Sequence, residues 1–196
     1  MLLLILGLLL FFSTHLVPTQ ATLRRGLVER LGGNGYKVVF SIVSAIGLVL
    51  IVVGFGKLQV SASQNPEIWT PPVAMRHIAF LLMLPAMILF VAAEVPTHIR
   101  SKVKHPMLAG IKLWATGHLL ANGDLASMLL FGSFLAYAAF DRISLKRRLV
   151  APRPGPRNGG WRNDVIAVVL GVALYAFMLT VGHARLIGIP LLPGWA

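Results

Sequence analysis

The sequence predicts an all-α fold, a polytopic transmembrane bundle of six helices, with five as the alternative count. Of the 196 residues, 57% are apolar and 12% are charged, and the mean hydropathy is +0.79. These values lie outside the composition of an ordinary soluble domain. Apolar runs close to the length of about 20 residues that spans a bilayer alternate with clusters of lysine and arginine. We therefore expect residues 1–196 to form a single integral membrane domain.

Six apolar runs define the predicted spans. In chain order they are residues 2–18 or a little beyond, 38–55, 76–95, 106–121, 125–140 and 165–183. The first has no basic segment before it and no small-residue cleavage site after it, so we interpret it as a retained helix. The third contains Pro85, which is expected to kink it unless neighbouring groups satisfy the freed carbonyl.

The connections between the spans are polar or basic. Residues 59–72 predict an external loop and residues 153–163 a flexible basic linker. The fourth and fifth spans are separated only by Asn122, Gly123 and Asp124. Gly123 suits a helix C-terminus and Asp124 suits the N-cap of the next helix, which predicts a tight antiparallel hairpin.

The distribution of lysine and arginine predicts the orientation. Residues 24–37, 100–104 and 142–162 together hold fourteen of the eighteen basic residues. Short cytoplasmic loops carry the excess of positive charge, and these three segments share one side with six helices but not with five. We expect a multi-pass protein of a bacterial inner (cytoplasmic) membrane, in contact with membrane lipids and with both termini in the periplasm.

Charge and cysteine content exclude several function classes. The net charge of +12 could indicate nucleic-acid binding, but the basic residues lie between apolar runs rather than along one water-soluble face. We therefore expect no nucleic-acid partner. Without cysteine, the chain cannot form disulfides, thiolate metal sites, iron–sulfur clusters or a catalytic thiol. Histidine, methionine or carboxylate must hold any metal.

Two histidines are predicted to lie deep in the membrane. If the first helix continues to Leu23, His15 lies nine residues before Arg24, about 13 Å from the cytoplasmic end. His118 lies fourteen residues after Lys104, about 21 Å from the same side. Both depths are close to the middle of a hydrocarbon core about 30 Å thick, where an imidazole by default marks a functional site.

Two interpretations of these histidines stay open from periodicity alone. They bind one metal or one haem iron from opposite sides, or they are neutral and form hydrogen bonds between helices. Helical spacing puts an apolar wall on the face of His118, made of Leu108, Ile111, Trp114 and Ala115. His105 precedes Pro106 and by itself predicts an interfacial cap. We expect a solvated side chain at His98, and no role for it or for His77 and His183, which are predicted near the outer surface.

Residues 104–132, KHPMLAGIKLWATGHLLANGDLASMLLFG, resemble the NnrU family of bacterial membrane proteins. Residues 11–25, FFSTHLVPTQATLRR, resemble the opening helix of that family, and the similarity covers nearly the whole chain. The His-Pro pair, the W-x-x-x-H spacing and the H-x-x-x-N-G-D turn occur together and in order. The resemblance implies a role in denitrification or nitric oxide metabolism, with components of nitric oxide or nitrite reductase as candidate partners.

The same region is similar to the 15-cis-ζ-carotene isomerases, integral membrane enzymes that use haem b. Their two haem-linked histidines match His15 and His118, and the His of their His-Pro motif matches His105. These enzymes carry cysteine three residues before the second histidine, where this chain has Ala115. Ligand exchange with cysteine is therefore excluded, although haem binding is not, and the resemblance leaves open whether the protein is an enzyme.

A more distant similarity links KHPMLAG to membrane methyltransferases that bind S-adenosylmethionine. Lys104 and Leu108 replace the Arg and Tyr of their motif, and their later cofactor contacts are not recognisable after Arg142. A methyltransferase is therefore one alternative function, and a non-enzymatic accessory factor for nitric oxide or nitrite reductase is another.

The resemblance and the predicted depths together suggest a haem b site. Its expected axial ligands are His15 and His118, with Trp114 beside the macrocycle. His105 is expected near the propionates, which would lie at a basic rim. The rim residues are Arg24, Arg25, Lys102 and Lys104.

Overall fold

A computed structural model describes residues 1–151, 154–155 and 160–192, and it confirms the all-α prediction. The helices are α1 (Leu2–Leu16), α2 (Ala21–Gln59), α3 (Val73–Glu94), α4 (His98–Val103), α5 (Pro106–Ala121), α6 (Leu125–Arg147), α7 (Trp161–Phe177) and α8 (His183–Ile187). Within these residues, β pairing is limited to one isolated bridge between Glu67 and Asp124. Of the predicted basic linker, residues 153 and 156–159 lie outside the described part.

Among the described residues, five helical segments are long and apolar enough to cross a membrane. They are Leu2–Thr19, Ala21–Gln59, Val73–Glu94, Leu125–Arg147 and Trp161–Ile187. Only 17–22% of each apolar window is buried within the protein, so most of the apolar surface faces outward, as lipid contact requires. The fourth predicted span, α5, has 16 residues and is about 24 Å long, shorter than the hydrocarbon core of about 30 Å.

The prediction for the first two helices is wrong in its boundaries. Helix α1 ends at Leu16, a short 3-10 turn follows, and Gln20 is extended with φ −112° and ψ 96°. Arg24 therefore belongs to the first turn of α2, and the predicted basic loop at residues 24–37 is helical. The helical path is interrupted at Gly32, whose φ of 71° favours glycine.

The chain divides into two compact units. Unit 1 comprises Met1–Glu67 and Asp124–Ser133, and unit 2 comprises Ile68–Gly123 and the residues from Phe134 onward. Helices α1 and α2 form most of unit 1 and pack antiparallel. A Cβ atom at Gly7 would lie 2.6 Å from the Ile51 nitrogen, and one at Gly54 would lie 2.5 Å from the Leu4 nitrogen. The lack of side chains at these glycines therefore permits close backbone contact.

The carboxylate of Asp124 organises the rest of unit 1. It accepts hydrogen bonds from the Ser127 backbone N–H at 2.9 Å, the Ser127 hydroxyl at 2.6 Å and the Asn65 amide at 2.8 Å. Asn65 in turn accepts a 2.8 Å bond from the Ala126 N–H. The predicted N-cap role of Asp124 is thus confirmed, and the same side chain attaches residues 59–67 to the start of α6.

Unit 2 is organised around α3, which continues through Pro85 and packs against α5 and α7. A Cβ atom at Gly117 of α5 would lie 2.5 Å from the Met83 methyl group, and one at Gly171 of α7 would lie 2.5 Å from the Ile88 Cα. Close packing on α3 therefore requires small residues at both positions. Helix α3 thus contacts both α5, which carries His118, and α7, which leads to His183.

Gly123, in unit 2, has a different role from the one predicted. The C-cap of α5 is Asn122, in an extended conformation, and Gly123 has no positive φ. A Cβ atom at Gly123 would lie 1.6 Å from the Trp69 carbonyl oxygen, and the Gly123 carbonyl accepts a 2.7 Å bond from the Ile68 N–H. Glycine is needed at this position because the backbone at Trp69 passes too close to leave room for a side chain.

The start of α7 is attached to the start of α4 in the same unit. Asp164 accepts a 2.8 Å bond from the backbone N–H of His98 and a 2.6 Å bond from its Nδ1, and Asn163 donates to the Pro96 carbonyl. The His98 side chain is 52% exposed. The expectation of a solvated His98 is therefore confirmed, and its imidazole is in addition held by a carboxylate 66 residues away.

Removing the Asp124 carboxylate should destabilise the protein. We expect Asp124→Ala to lower the free energy of unfolding in detergent micelles by about 2 kcal/mol, because charge-assisted hydrogen bonds and an N-cap are lost together. Glu67→Gln, at an exposed carboxylate of the same loop, is the control and should change stability little.

The stabilisation by Asp124 should depend on pH. Partial burial raises the pKa of this carboxyl, but the hydrogen bonds from Ser127 and Asn65 outweigh burial and hold the pKa below its ordinary value. Its contribution should be complete above the ordinary aspartate pKa of about 3.9 and lost as the pH falls through the lower folded pKa. An equal loss in wild type and Asp124→Ala on acidification would contradict this assignment.

Candidate functional site

His118 is held in one tautomer by its own helix. Its Nδ1 lies 2.9 Å from the Trp114 carbonyl oxygen one turn earlier. A carbonyl only accepts hydrogen bonds, so Nδ1 must carry the proton, and in the neutral imidazole the lone pair lies on Nε2. Metal-binding histidines are commonly oriented in this way, by a hydrogen bond from the other ring nitrogen to a carbonyl. The local geometry thus fits a metal ligand.

Aromatic and small residues surround His118, as predicted for its helix face. The Trp114 ring lies 5.2 Å from the His118 ring and makes an edge contact with Phe134 at 5.5 Å. Ala115 is fully buried. The prediction that Trp114 and His118 share a face is therefore confirmed.

A second imidazole, which the sequence analysis left without a role, lies beside His118. The ring centres of His118 and His183 are 6.5 Å apart, and the ring planes are inclined by 19°. The Nδ1 of His183 donates to the Ile189 carbonyl oxygen at 2.8 Å, so its lone pair also lies on Nε2. The two residues are 65 positions apart, and no local pattern in the sequence relates them.

His15 belongs to unit 1 and has a similar hydrogen bond. Its Nδ1 lies 2.8 Å from the Phe11 carbonyl oxygen, its ring stacks on Phe11 at 4.0 Å, and Phe40 is 5.1 Å away. The depth predicted for it rested on a continuous helix to Leu23, and that helix is not found, because α1 ends one residue after His15. The ligand role of His15 stays a prediction.

Arg24 lies over the ring of Tyr36 in unit 1. Its guanidinium carbon is 5.8 Å from the centre of the Tyr36 ring. The Tyr36 hydroxyl oxygen is buried and has no hydrogen-bond partner within the described part of the chain. A buried donor without a partner is uncommon and calls for a physical explanation. A cation beside an unused hydroxyl donor is an arrangement that suits a carboxylate or another anion.

Lys104 and His105 form a strained turn before α5. Lys104 has φ 66° and ψ −48°, and the His105 N–H donates to the Val103 carbonyl at 2.8 Å. These features define the rare, strained form of the γ-turn. His105 then serves as the N-cap residue before Pro106. Partial burial lowers the pKa of His105, and the positive charge of Arg142 lowers it further.

Helix α5 separates the predicted site residues in unit 2. Lys104 and His105 precede its first turn, whereas Trp114 and His118 lie in its second half. His105 and His118 are thirteen residues apart, about 20 Å along the helix axis. Only Trp114 and His118 are therefore brought together at one end of α5.

The chain matches a model of a known protein family. The family model described as NnrU protein matches residues 3–191, which is nearly the whole chain. No curated protein and no solved structure gives a significant match.

The strain at Lys104 yields a stability prediction. Lys104→Gly should be more stable than Lys104→Ala by about 1 kcal/mol, because both variants lose the charge but only glycine adopts this backbone conformation without strain. Thermal unfolding in detergent measures the difference. Equal stability of the two variants would show that the turn relaxes at no cost.

The Tyr36 hydroxyl yields a second stability prediction. Tyr36→Phe should raise the stability of the ligand-free protein by about 1 kcal/mol, since it removes a buried donor that has lost its hydration without gaining a partner. Tyr175→Phe, which also removes one phenolic hydroxyl, serves as the control for the substitution itself. Destabilisation by Tyr36→Phe would mean that the hydroxyl has a partner in the folded protein.

Proposed function

Because this chain belongs to the NnrU family, a family of membrane-type proteins with long apolar helices, we propose that it binds haem b through imidazole ligands and acts in nitric oxide metabolism. The observation that carries the proposal is the geometry of His118. Its Nδ1 is engaged by the Trp114 carbonyl, which leaves Nε2 as the metal-binding nitrogen. The resemblance to the carotene isomerases also implies a ligand role for His15, whose Nδ1 is engaged by the Phe11 carbonyl.

The surroundings of His118 support a flat aromatic ligand. Trp114 offers a ring surface close to the imidazole, and Phe134 packs against Trp114. Within the described residues, no three histidine and carboxylate side chains form a metal cluster. A metal held by so few protein ligands is best supplied within a macrocycle that brings its own nitrogen donors.

In unit 1, Arg24 and Tyr36 are residues that suit a carboxylate, as a propionate is. The guanidinium provides the positive charge and the buried hydroxyl provides a donor that is otherwise unused. Lys104 and His105, the other expected rim residues, lie about 20 Å from His118 along α5. That distance exceeds the radius of a haem, so they do not contact a haem whose iron is bound by His118.

When bound, haem supplies a redox-active iron that can take an electron or a small diatomic gas. The chain's own residues then have defined tasks. Trp114 fixes the orientation of the His118 ring through its carbonyl, and the apolar helices keep water from the site. Sensing or handling of nitric oxide within the membrane is the function that this arrangement and the family resemblance jointly support.

Absorption spectroscopy tests the proposal. Protein purified from haem-replete cells should have a Soret band that shifts when nitric oxide is added to the reduced form. We expect His118→Ala to lower the haem content at least tenfold, because the iron loses one of its imidazole ligands, and His77→Ala, at an exposed histidine of α3, to leave it unchanged.

Colourless wild-type protein that also takes up no added haemin would contradict the proposal. Two alternative functions would then be compared directly. Calorimetric binding of S-adenosylmethionine would favour a methyltransferase. Co-purification with nitric oxide or nitrite reductase components, without binding of either ligand, would favour an accessory factor.

A further inference from the structure

Two imidazoles of unit 2 lie close together, and each donates a hydrogen bond from Nδ1 to a backbone carbonyl. The rings of His118 and His183 are 6.5 Å apart, centre to centre, and nearly parallel. Each Nδ1 is occupied by a backbone carbonyl, that of Trp114 or Ile189. In each neutral ring the lone pair therefore lies on Nε2. Two histidines prepared in the same way and close in space are a candidate ligand pair.

The separation of the rings fits two ligands on opposite sides of one metal. An imidazole nitrogen binds a transition metal at about 2.0–2.1 Å, which puts the centres of two opposed rings roughly 6 Å apart. The observed 6.5 Å is close to this value, whereas rings in direct stacking contact lie much nearer, as His15 and Phe11 do at 4.0 Å. The centre-to-centre distance between the His118 and His183 rings therefore matches the distance between two imidazoles that bind one metal ion.

The backbone around His183 is built in an unusual way. A π-helical turn, Met178–Gly182, immediately precedes it, and such turns occur mostly as single insertions near functional sites. After it, Gly188 adopts φ 82°, which brings the Ile189 carbonyl back to the His183 ring. The π-helical turn changes the position of His183 around the helix axis relative to a regular α-helix. Gly188 ends the short helix α8, so that the chain turns back and the Ile189 carbonyl reaches the ring.

The number of protein ligands indicates the kind of metal centre. Within the described residues no third histidine, aspartate or glutamate joins a metal-binding group. A bare divalent ion usually takes four or more ligands, so two imidazoles alone suit a metal that carries equatorial donors of its own. An iron porphyrin has that property, and its two axial positions accept two imidazoles.

We infer that His183 is the second axial ligand of the iron bound by His118, in the position that the sequence analysis assigned to His15. This inference rests on the proposed haem binding and specifies which imidazole completes it. No bond is formed or broken other than the coordination of each Nε2 to iron.

The experiment compares His183→Ala, His15→Ala and the control His77→Ala, all purified from haem-replete cells. Wild type should show the low-spin ferric spectrum of two imidazole ligands by absorption and electron paramagnetic resonance. We expect His183→Ala to become predominantly high-spin and to return to low-spin when free imidazole is added. His15→Ala and His77→Ala should keep the wild-type spectrum.

A second variant gives a signal that a merely structural residue cannot produce. In His183→Met the thioether is expected to bind iron, which adds the weak far-red band of sulfur–iron coordination and raises the reduction potential, as methionine ligation does in cytochromes c. This variant also covers the case in which His183→Ala fails to fold.

The outcomes separate the inference from the proposed function. Haem-bound wild type with an unchanged spectrum in His183→Ala and in His183→Met would overturn the inference and leave haem binding intact. A change to high-spin in His15→Ala alone would also overturn the inference and leave haem binding intact. The second ligand would then be His15. Wild type that takes up no haem, even from added haemin, would overturn both.

Discussion

The structure depends on one constraint, which is that polar groups in an apolar chain must find partners within the chain itself. Helices satisfy the backbone, and the remaining polar side chains bind to nearby backbone or side-chain groups. Asp124 takes the amide of Asn65 and two donors from Ser127. His118 and His15 each use the carbonyl one turn earlier in their own helix. Within the described part of the chain, one buried side-chain polar atom has no hydrogen-bond partner, the hydroxyl oxygen of Tyr36.

Close helix packing follows from the same constraint, since lipid offers little hydrophobic drive for helices to associate. Small residues lie where the backbones meet, at Gly7 and Gly54 in unit 1 and at Gly117 and Gly171 in unit 2. The last two pack on α3, so this helix fixes the positions of both α5 and α7. The imidazole of His118 is thereby carried on a well-packed helix, one residue from the glycine that contacts α3.

Hydropathy and charge predicted the all-α membrane fold, and local chemistry predicted the N-cap at Asp124 and the shared face of Trp114 and His118. These features depend on composition and on residues within one helical turn. The break at Gln20 was not predicted because no glycine stands there and the one proline, Pro18, is compatible with a short 3-10 turn. The contact between His118 and His183 was not predictable either, because it depends on tertiary packing and on a π-helical turn that has no sequence signature.

Three imidazoles share the same hydrogen-bonded tautomer, whereas one iron takes two axial ligands, so the hydrogen bond alone does not identify a ligand. A buried imidazole needs such a bond simply to satisfy its polar N–H, and the ring of His15 also stacks on Phe11. His183 differs because a π-helical turn immediately precedes it and departs from the regular α-helix. Regular helix is the form that satisfies the backbone most fully in an apolar setting. A departure immediately before one imidazole, whose ring lies near that of His118, therefore carries more weight than the hydrogen bond that all three histidines share.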